Sequence, residues 1–100
     1  MSMQVLALRA EGGDPDELHA RVAEALREHA PTLRWISSYR VRGGAWDFVD
    51  VFEADEEIDD VGAARKALDE LGGLRAEWMD AEASALLRAP GGGAPGRAPG

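Results

Sequence analysis

The chain contains no cysteine, which excludes disulfide bonds, thiolate metal sites and a cysteine nucleophile. It also lacks any apolar run near the roughly 20 residues that a membrane-spanning helix needs. Residues 1–8 show neither a basic leader nor a small-residue cleavage site. These absences predict a soluble, cytoplasmic protein with no membrane partner.

Basic side chains are scarce relative to acidic ones. Eleven lysine and arginine residues stand against 19 aspartate and glutamate residues, which gives a net charge of -8. Binding to a nucleic-acid backbone depends on a basic surface. The charge balance therefore predicts no nucleic-acid partner.

Motifs for metal binding and for common catalytic mechanisms are missing as well. The sequence has no phosphate-binding glycine loop with lysine and no Gly-x-Ser-x-Gly elbow. His19 and His29 lie ten residues apart, whereas helical metal sites place histidines three or four apart. We therefore predict no metal and no cofactor. A run of acidic residues lacks the spacing and central glycine of a calcium loop and is typical of a solvated helix start: Glu53, Asp55, Glu56, Glu57, Asp59 and Asp60.

Length and composition predict one domain with a short appendage. With 100 residues and 45% apolar content, the chain has enough material for a single modest core. We assign residues 1–84 to that domain. Residues 85–100 are rich in glycine, proline and alanine, and are predicted to form a flexible tail.

The first third of the chain predicts a strand followed by a helix. Met3–Arg9 places apolar side chains at odd and at even positions alike, as in a strand that is covered on both faces. Asp14 is suited to cap a helix, and Pro15 to its first position. Leucine and valine at helical spacing continue the pattern until Pro31, so the helix should end near His29.

The middle of the chain predicts a hairpin. Leu33–Val41 alternates and places Trp35 and Tyr39 on the same face of a second strand. Gly43-Gly44 supplies a turn, and Ala45–Glu53 returns as a third strand.

A second helix and a fourth strand complete the pattern. Asp55 is the predicted helix cap, Ile58 begins the predicted inward stripe, and Gly72-Gly73 ends the helix. Gly62 within this helix costs about 1 kcal/mol relative to alanine, which suggests close packing. Leu74–Ala81 is the predicted fourth strand.

This order predicts an α+β, ferredoxin-like βαββαβ sandwich, with a four-stranded antiparallel sheet and both helices on one face. The third strand is apolar on both faces, so the face away from the helices also needs a cover. A second copy of the chain is the natural cover, and we predict a homodimer or a higher oligomer.

The segment Gly43–Ala54 resembles the GYD family of small bacterial proteins. Trp46 stands where the family motif has tyrosine, and Gly43 or Gly44 stands for its glycine. The joint Leu71-Gly72-Gly73-Leu74-Arg75 and the element order extend the resemblance over about Met3–Glu82. The tyrosine-to-tryptophan difference removes a phenolic hydroxyl from the motif.

GYD proteins are similar to the wider dimeric α/β-barrel group, in which two ferredoxin-like sheets pack face to face and enclose a cavity. The resemblance thus implies a dimeric barrel. That group contains cofactor-independent monooxygenases, isomerases, haem-dependent enzymes and ligand-sensing domains of transcription regulators. A shared fold does not transfer one of these activities.

Asp47 is a candidate general base, because a carboxylate in an apolar strand is costly unless it is paired. The alternative, which we favour, is a structural role at the hairpin mouth, with hydrogen bonds from Arg40, Arg42 or a turn amide. Tyr39 and His19 are further candidates for proton transfer.

Aromatic side chains admit two interpretations. They can line a ligand cavity or pack in a dimer interface, and we favour the interface. The candidate ligand-binding residues are Trp35, Tyr39, Trp46 and Trp78.

Three functional hypotheses follow. The first is a homo-oligomeric protein that binds a small molecule in or near the dimer barrel. The second is a cofactor-independent monooxygenase or isomerase acting on a small apolar or aromatic substrate. The third is a purely structural oligomeric module.

Overall fold

The computed structural model describes residues 2–82, so the tail predicted at 85–100 lies outside the described residues. The predicted element order and the ferredoxin-like α+β fold are confirmed. The six elements in chain order are β1 (Ser2–Ala10), α1 (Pro15–His29), β2 (Arg34–Arg40), β3 (Phe48–Ala54), α2 (Asp60–Leu71) and β4 (Leu74–Ala81).

The four strands form one antiparallel sheet in the order β2-β3-β1-β4. β1 is central and pairs with both β3 and β4, while β2 and β4 are the edges. Each neighbouring pair is antiparallel because the two helices make the crossovers between strands that are not adjacent in the sheet. The βαββαβ order produces this arrangement.

Both helices cover the same face of the sheet, as predicted. We call it the covered face; β1 contributes Leu6 and Leu8, and β3 contributes Phe48 and Phe52. Alternate positions of a strand share a face, so these four side chains point the same way. The helices pack onto them with buried Leu18, Val22, Leu26, Ala64 and Leu68.

Helix α1 begins and ends where the sequence predicts. The side chain of Asp14 caps it by accepting a hydrogen bond from the amide of Asp16 at 3.0 Å, and Pro15 occupies the first turn. The amide of Ala30 closes the other end on the carbonyl of Leu26 at 2.8 Å. Its buried stripe is Leu18, Val22 and Leu26.

The predicted start of α2 is wrong by several residues. Asp59, not Asp55, is the cap, and its carboxylate accepts from the amide of Gly62 at 2.9 Å. Asp55 instead caps a preceding turn through the amide of Glu57. Ile58, expected on the inward stripe, therefore precedes the helix and is exposed. Asp55 and Asp59 are both suitable caps in the sequence, and each accepts a hydrogen bond from a nearby backbone amide, Asp55 in a turn and Asp59 at the start of the helix.

The predicted faces of β2 are also wrong, because the strand contains a bulge. Trp35 pairs with Phe52 and Ser37 pairs with Val51, so Ile36 has no partner of its own. One extra residue shifts the alternation by one position. Trp35 therefore lies on the covered face, while Tyr39 lies on the opposite one.

The third strand begins later than predicted. It starts at Phe48, so Trp46 belongs to the connection from β2 and not to the sheet. Gly43 and Gly44 in that connection have φ values of 83° and 88°, a region that favours glycine. The predicted glycine turn is present, although the loop is longer than expected.

Candidate functional site

A polar cluster on the covered face is centred on one buried carboxylate, with a partly exposed histidine and an exposed serine as its partners. Asp50 on β3 has 0% exposure and its Oδ2 lies 2.8 Å from Nε2 of His19 on α1. The hydroxyl of Ser38 on β2 donates to the other carboxylate oxygen of Asp50. Both oxygens are thus hydrogen-bonded, which offsets the cost of burying the carboxylate.

Aromatic rings fix the orientation of His19. Its imidazole stacks on Phe48 with ring centroids 3.9 Å apart, and Trp35 meets it edge-on at 6.5 Å. The His19 side chain keeps 21% exposure. Its second ring nitrogen, Nδ1, has no hydrogen-bond partner among residues 2–82. A histidine held by a carboxylate on one nitrogen and open on the other is able to exchange a proton with a bound molecule.

This cluster is not a serine-hydrolase triad. In such a triad the histidine stands between serine and aspartate, whereas here Asp50 stands between Ser38 and His19. Ser38 therefore has no histidine beside it to act as its base. The arrangement is suited to proton transfer at His19, and equally to joining α1 to the sheet.

An exposed ion pair lies beside the cluster. Nη1 of Arg40 on β2 donates to both carboxylate oxygens of Asp16 on α1, at 2.6 and 2.7 Å. The hydrogen bond and charge of Asp16 raise the pKa of Arg40. The guanidinium also lies 5.7 Å from the Phe48 ring centroid. Arg40 is thus occupied by Asp16 at the rim of the covered face.

Asp47 has the structural contacts of a hairpin-mouth residue. Its Oδ2 accepts the amide of Ala10 at 2.8 Å, and its own amide donates to the carbonyl of Leu8 at 2.7 Å. The donor is a strand amide of β1 rather than an arginine or turn amide. Among residues 2–82, no hydrogen bond joins any two of Asp47, Tyr39 and His19.

The four predicted ligand-binding aromatics do not form one cluster. Trp35 and Trp78 flank Phe52 on the covered face, with ring centroids 4.5 and 5.8 Å from it. Within the described part of the chain, their buried indole nitrogens have no hydrogen-bond partners. Tyr39 is 58% exposed on the other face, and Trp46 lies in the β2–β3 connection.

A small apolar pocket lies at the end of the covered face, next to Trp35. It has a volume of about 110 Å³, which is smaller than cavities known to hold benzene. Helix α1 and the start of β2 form its walls. Its lining comprises Leu26, Arg27, Ala30, Pro31, Leu33, Trp35 and Phe52.

The face opposite the helices, which we call the open face, carries a continuous apolar strip. Val5 of β1 pairs with Val51 of β3 and with Met79 of β4, and Val49 pairs with Tyr39 of β2. None of these five side chains is buried, and Met79 is 39% exposed. Arg34 and Glu53 form an ion pair at 2.6 Å at one end of the strip. The predicted apolar open face is present.

Charged and aromatic residues converge at the other end of the open face. Arg9 of β1 pairs directly with Arg75 of β4. The Arg75 guanidinium lies 5.6 Å from the centroid of the Trp46 ring, and Arg9 donates to the carbonyl of Ala45 at 3.2 Å. The segment that resembles the GYD motif therefore meets two arginines at this edge.

The described residues offer little for a metal or a membrane. Within residues 2–82, no three histidine or carboxylate side chains are arranged to hold a metal ion. In the same part of the chain, neither helix has the length and apolarity required to cross a bilayer.

Asp50 is the functional candidate that the sequence analysis missed. The sequence does contain a signal for this candidate, since Asp50 interrupts an apolar run just as Asp47 does. Its alternation with Phe48 and Phe52 places it on the covered face, where a carboxylate requires a partner. The partner, His19, is 31 residues away, and only the packing of α1 onto β3 brings it there.

The chain matches no family model and no curated protein. Among solved structures it is similar to the crystal structure of FFRP-DM1, with a TM-score of 0.59 and 16% sequence identity. The similarity covers 82% of this chain and 100% of that one. Identity this low supports a shared ferredoxin-like fold and no shared activity.

Proposed function

We propose that this chain is a GYD-like, cytoplasmic, homodimeric module that binds a small molecule at or near the interface between two sheets. The observation that carries the proposal is the apolar strip on the open face. The GYD resemblance supports the face-to-face geometry. The ferredoxin-like fold is compatible with it.

The chemistry of the strip favours a second copy as its cover. Val5, Val51 and Met79 lie side by side across three strands, and apolar patches of this kind are typical of interfaces. Burying apolar surface contributes about 25 cal/mol per Å². Packing against an identical strip covers both patches at once, as a two-fold interface does.

A binding site near this interface follows from what the strip contains. Tyr39 places a phenol at its border, and Trp46 stands at its arginine end. Ligand sites combine apolar walls with a few polar groups that fix orientation. The open face provides both kinds of group.

Two measurements on the wild-type protein test the proposal. Sedimentation equilibrium should give twice the 10.7 kDa chain mass. Native mass spectrometry of protein purified from its own host should show a dimer that retains a small molecule. A monomer at every concentration contradicts the dimer, and a bare dimer favours the purely structural module.

A second candidate function is a cofactor-independent enzyme that moves a proton on a small apolar or aromatic substrate. The observation that favours it is the His19–Asp50 pair, with Nδ1 of His19 open. Of the candidates predicted from sequence, His19 has the geometry of a general base. Asp47 is engaged by the backbone, and Tyr39 lies on the other face.

The enzyme is tested with the retained molecule itself, which for this second function binds beside His19 on the covered face and not on the open face. Wild-type protein should convert it, and His19→Gln should not, although both bind it. Asp50→Asn should lower turnover and alter its pH profile, because Asp50 positions His19. Equal conversion by wild type and His19→Gln contradicts this second function.

A further inference from the structure

We propose that Arg9, Arg75 and Trp46 form a binding site for the carboxylate of a small monocarboxylic acid with an apolar body. The inference rests on the proposed small-molecule binding and names the ligand class. It places the acid group at the arginine end of the open face. The apolar body then lies along the strip.

The pairing of the two arginines is the first observation. Arg9 and Arg75 are exposed and stand directly opposite each other on antiparallel strands. Like charges in such a position repel and destabilise a sheet. An anion bound between them removes that repulsion.

Neither arginine is neutralised within the described chain. Among residues 2–82, no carboxylate forms an ion pair with Arg9 or Arg75. Two other arginines of the sheet are paired: Arg34 with Glu53 and Arg40 with Asp16, each at 2.6 Å. With 19 acidic residues in the chain, two arginines without a carboxylate partner in the described structure are unusual. The two charges are thus available to a ligand.

The β2–β3 connection orders this end of the sheet. Asp47 fixes the loop to β1 through Leu8 and Ala10, at 2.7 and 2.8 Å. This places the Trp46 ring 5.6 Å from the Arg75 guanidinium. A cation–π contact restrains the guanidinium and leaves its N–H edges free to donate. The site is therefore arranged before the ligand arrives.

The surroundings select a monocarboxylate. Guanidinium groups bind carboxylates with two parallel hydrogen bonds. Val49 of β3 and Val5 of β1 lie further along the open face, are partly exposed, and offer apolar contact to the rest of the molecule. Glu77 lies on the same face, two residues from Arg75, and repels a second negative charge. A doubly charged phosphate is therefore disfavoured.

Isothermal titration calorimetry with benzoate tests the site on the full chain. Benzoate should bind, whereas neutral benzamide should bind at least about tenfold more weakly, as expected for loss of a charge-assisted hydrogen bond. Inorganic phosphate should also bind more weakly than benzoate, because it has no apolar body and Glu77 repels its second charge. Arg75→Gln should weaken benzoate to a similar extent. The matched control is Arg21→Gln on α1, an exposed arginine on the helical side of the domain, which should leave binding unchanged. Thermal melting confirms that the variants fold.

Several results overturn the inference. Equal affinities for benzoate and benzamide would show that the ligand's charge does not contribute to binding. Undiminished binding of benzoate to Arg75→Gln would show that Arg75 does not contribute. Dissociation of the dimer in Arg9→Gln and Arg75→Gln would show that the carboxylates come from the partner subunit instead. Failure of benzoate to bind a wild-type dimer overturns this site but leaves the dimer standing. If the wild-type protein is a monomer, the proposed dimeric function is wrong. The benzoate titration then still tests the arginine site on its own.

Discussion

The two faces of β3 differ in how their side chains are covered. Phe48, Asp50 and Phe52 point to the covered face and are buried by the chain's own helices. Val49 and Val51, interleaved with them, point to the open face and stay partly exposed. This domain therefore completes one core by itself and leaves a second apolar surface partly exposed.

The largest difference in the free energy of unfolding should be found between substitutions at two adjacent positions of β3 that face opposite sides of the sheet. Phe52→Ala removes a ring that contacts both Trp35 and Trp78, and should lower the free energy of unfolding by about 3–5 kcal/mol. Val51→Ala, one residue away on the open face, should cost far less at concentrations where the protein is monomeric. Urea denaturation measures both. Equal losses would mean that the two faces are equally covered.

Asp50 tests how much a buried polar contact contributes to the stability of the covered face. Asp50→Ala leaves His19 and Ser38 without their partner, and should cost about 3 kcal/mol. Asp69→Ala on the exposed side of α2 is the matched control and should change stability little. Urea denaturation of both variants provides the measurement. A loss at Asp50 no greater than at Asp69 would show that the contacts of the buried Asp50 carboxylate do not join α1 to the sheet.

A smaller effect is expected at Gly62, in the first turn of α2. Alanine should favour the helix by about 1 kcal/mol, but its Cβ would overlap the capping carboxylate of Asp59. Displacing the cap costs about 0.5–2 kcal/mol. Gly62→Ala should thus be neutral or slightly destabilising in thermal melts. In an Asp59→Ala background it should become stabilising, and a loss there instead would contradict this explanation.

The smallest effect should come from the exposed Arg40–Asp16 pair at the rim. The hydrogen bond and charge of Asp16 raise the pKa of Arg40 in the folded protein. The contribution of the pair to stability is therefore fully present below the pKa of the unfolded chain, and is lost only as the pH rises through the higher folded pKa. Between pH 6 and 9, Arg40→Gln should therefore show a small, constant loss. High salt should reduce it. A loss that varies strongly across this pH range would contradict the assignment.

Much of the fold followed from local patterns. Asp14, Pro15 and the apolar stripe located α1, and the alternating apolar run located β4 at Leu74–Ala81. The bulge at Ile36 was not predictable, because a single extra residue has no sequence signal of its own and yet reverses the following side chains. The face of Tyr39 was therefore assigned wrongly.

The candidate sites depended on contacts distant in sequence. The His19–Asp50 pair needs α1 packed onto β3, and the Arg9–Arg75 pair needs β1 registered against β4. Neither register is encoded by residues near either partner. Sequence analysis identified the open apolar face and the motif segment around Trp46, but not the groups that meet them.

The most direct test of the account is the oligomeric state of Val51→Arg, measured by light scattering after size exclusion. Arginine at the centre of the open-face strip should place an uncompensated charge in the sheet-to-sheet interface and yield a folded monomer. Ala20→Arg, the same residue added to the exposed side of α1, should remain a dimer like the wild type. A Val51→Arg protein that is still dimeric would contradict the claim that the open face is where a second copy binds.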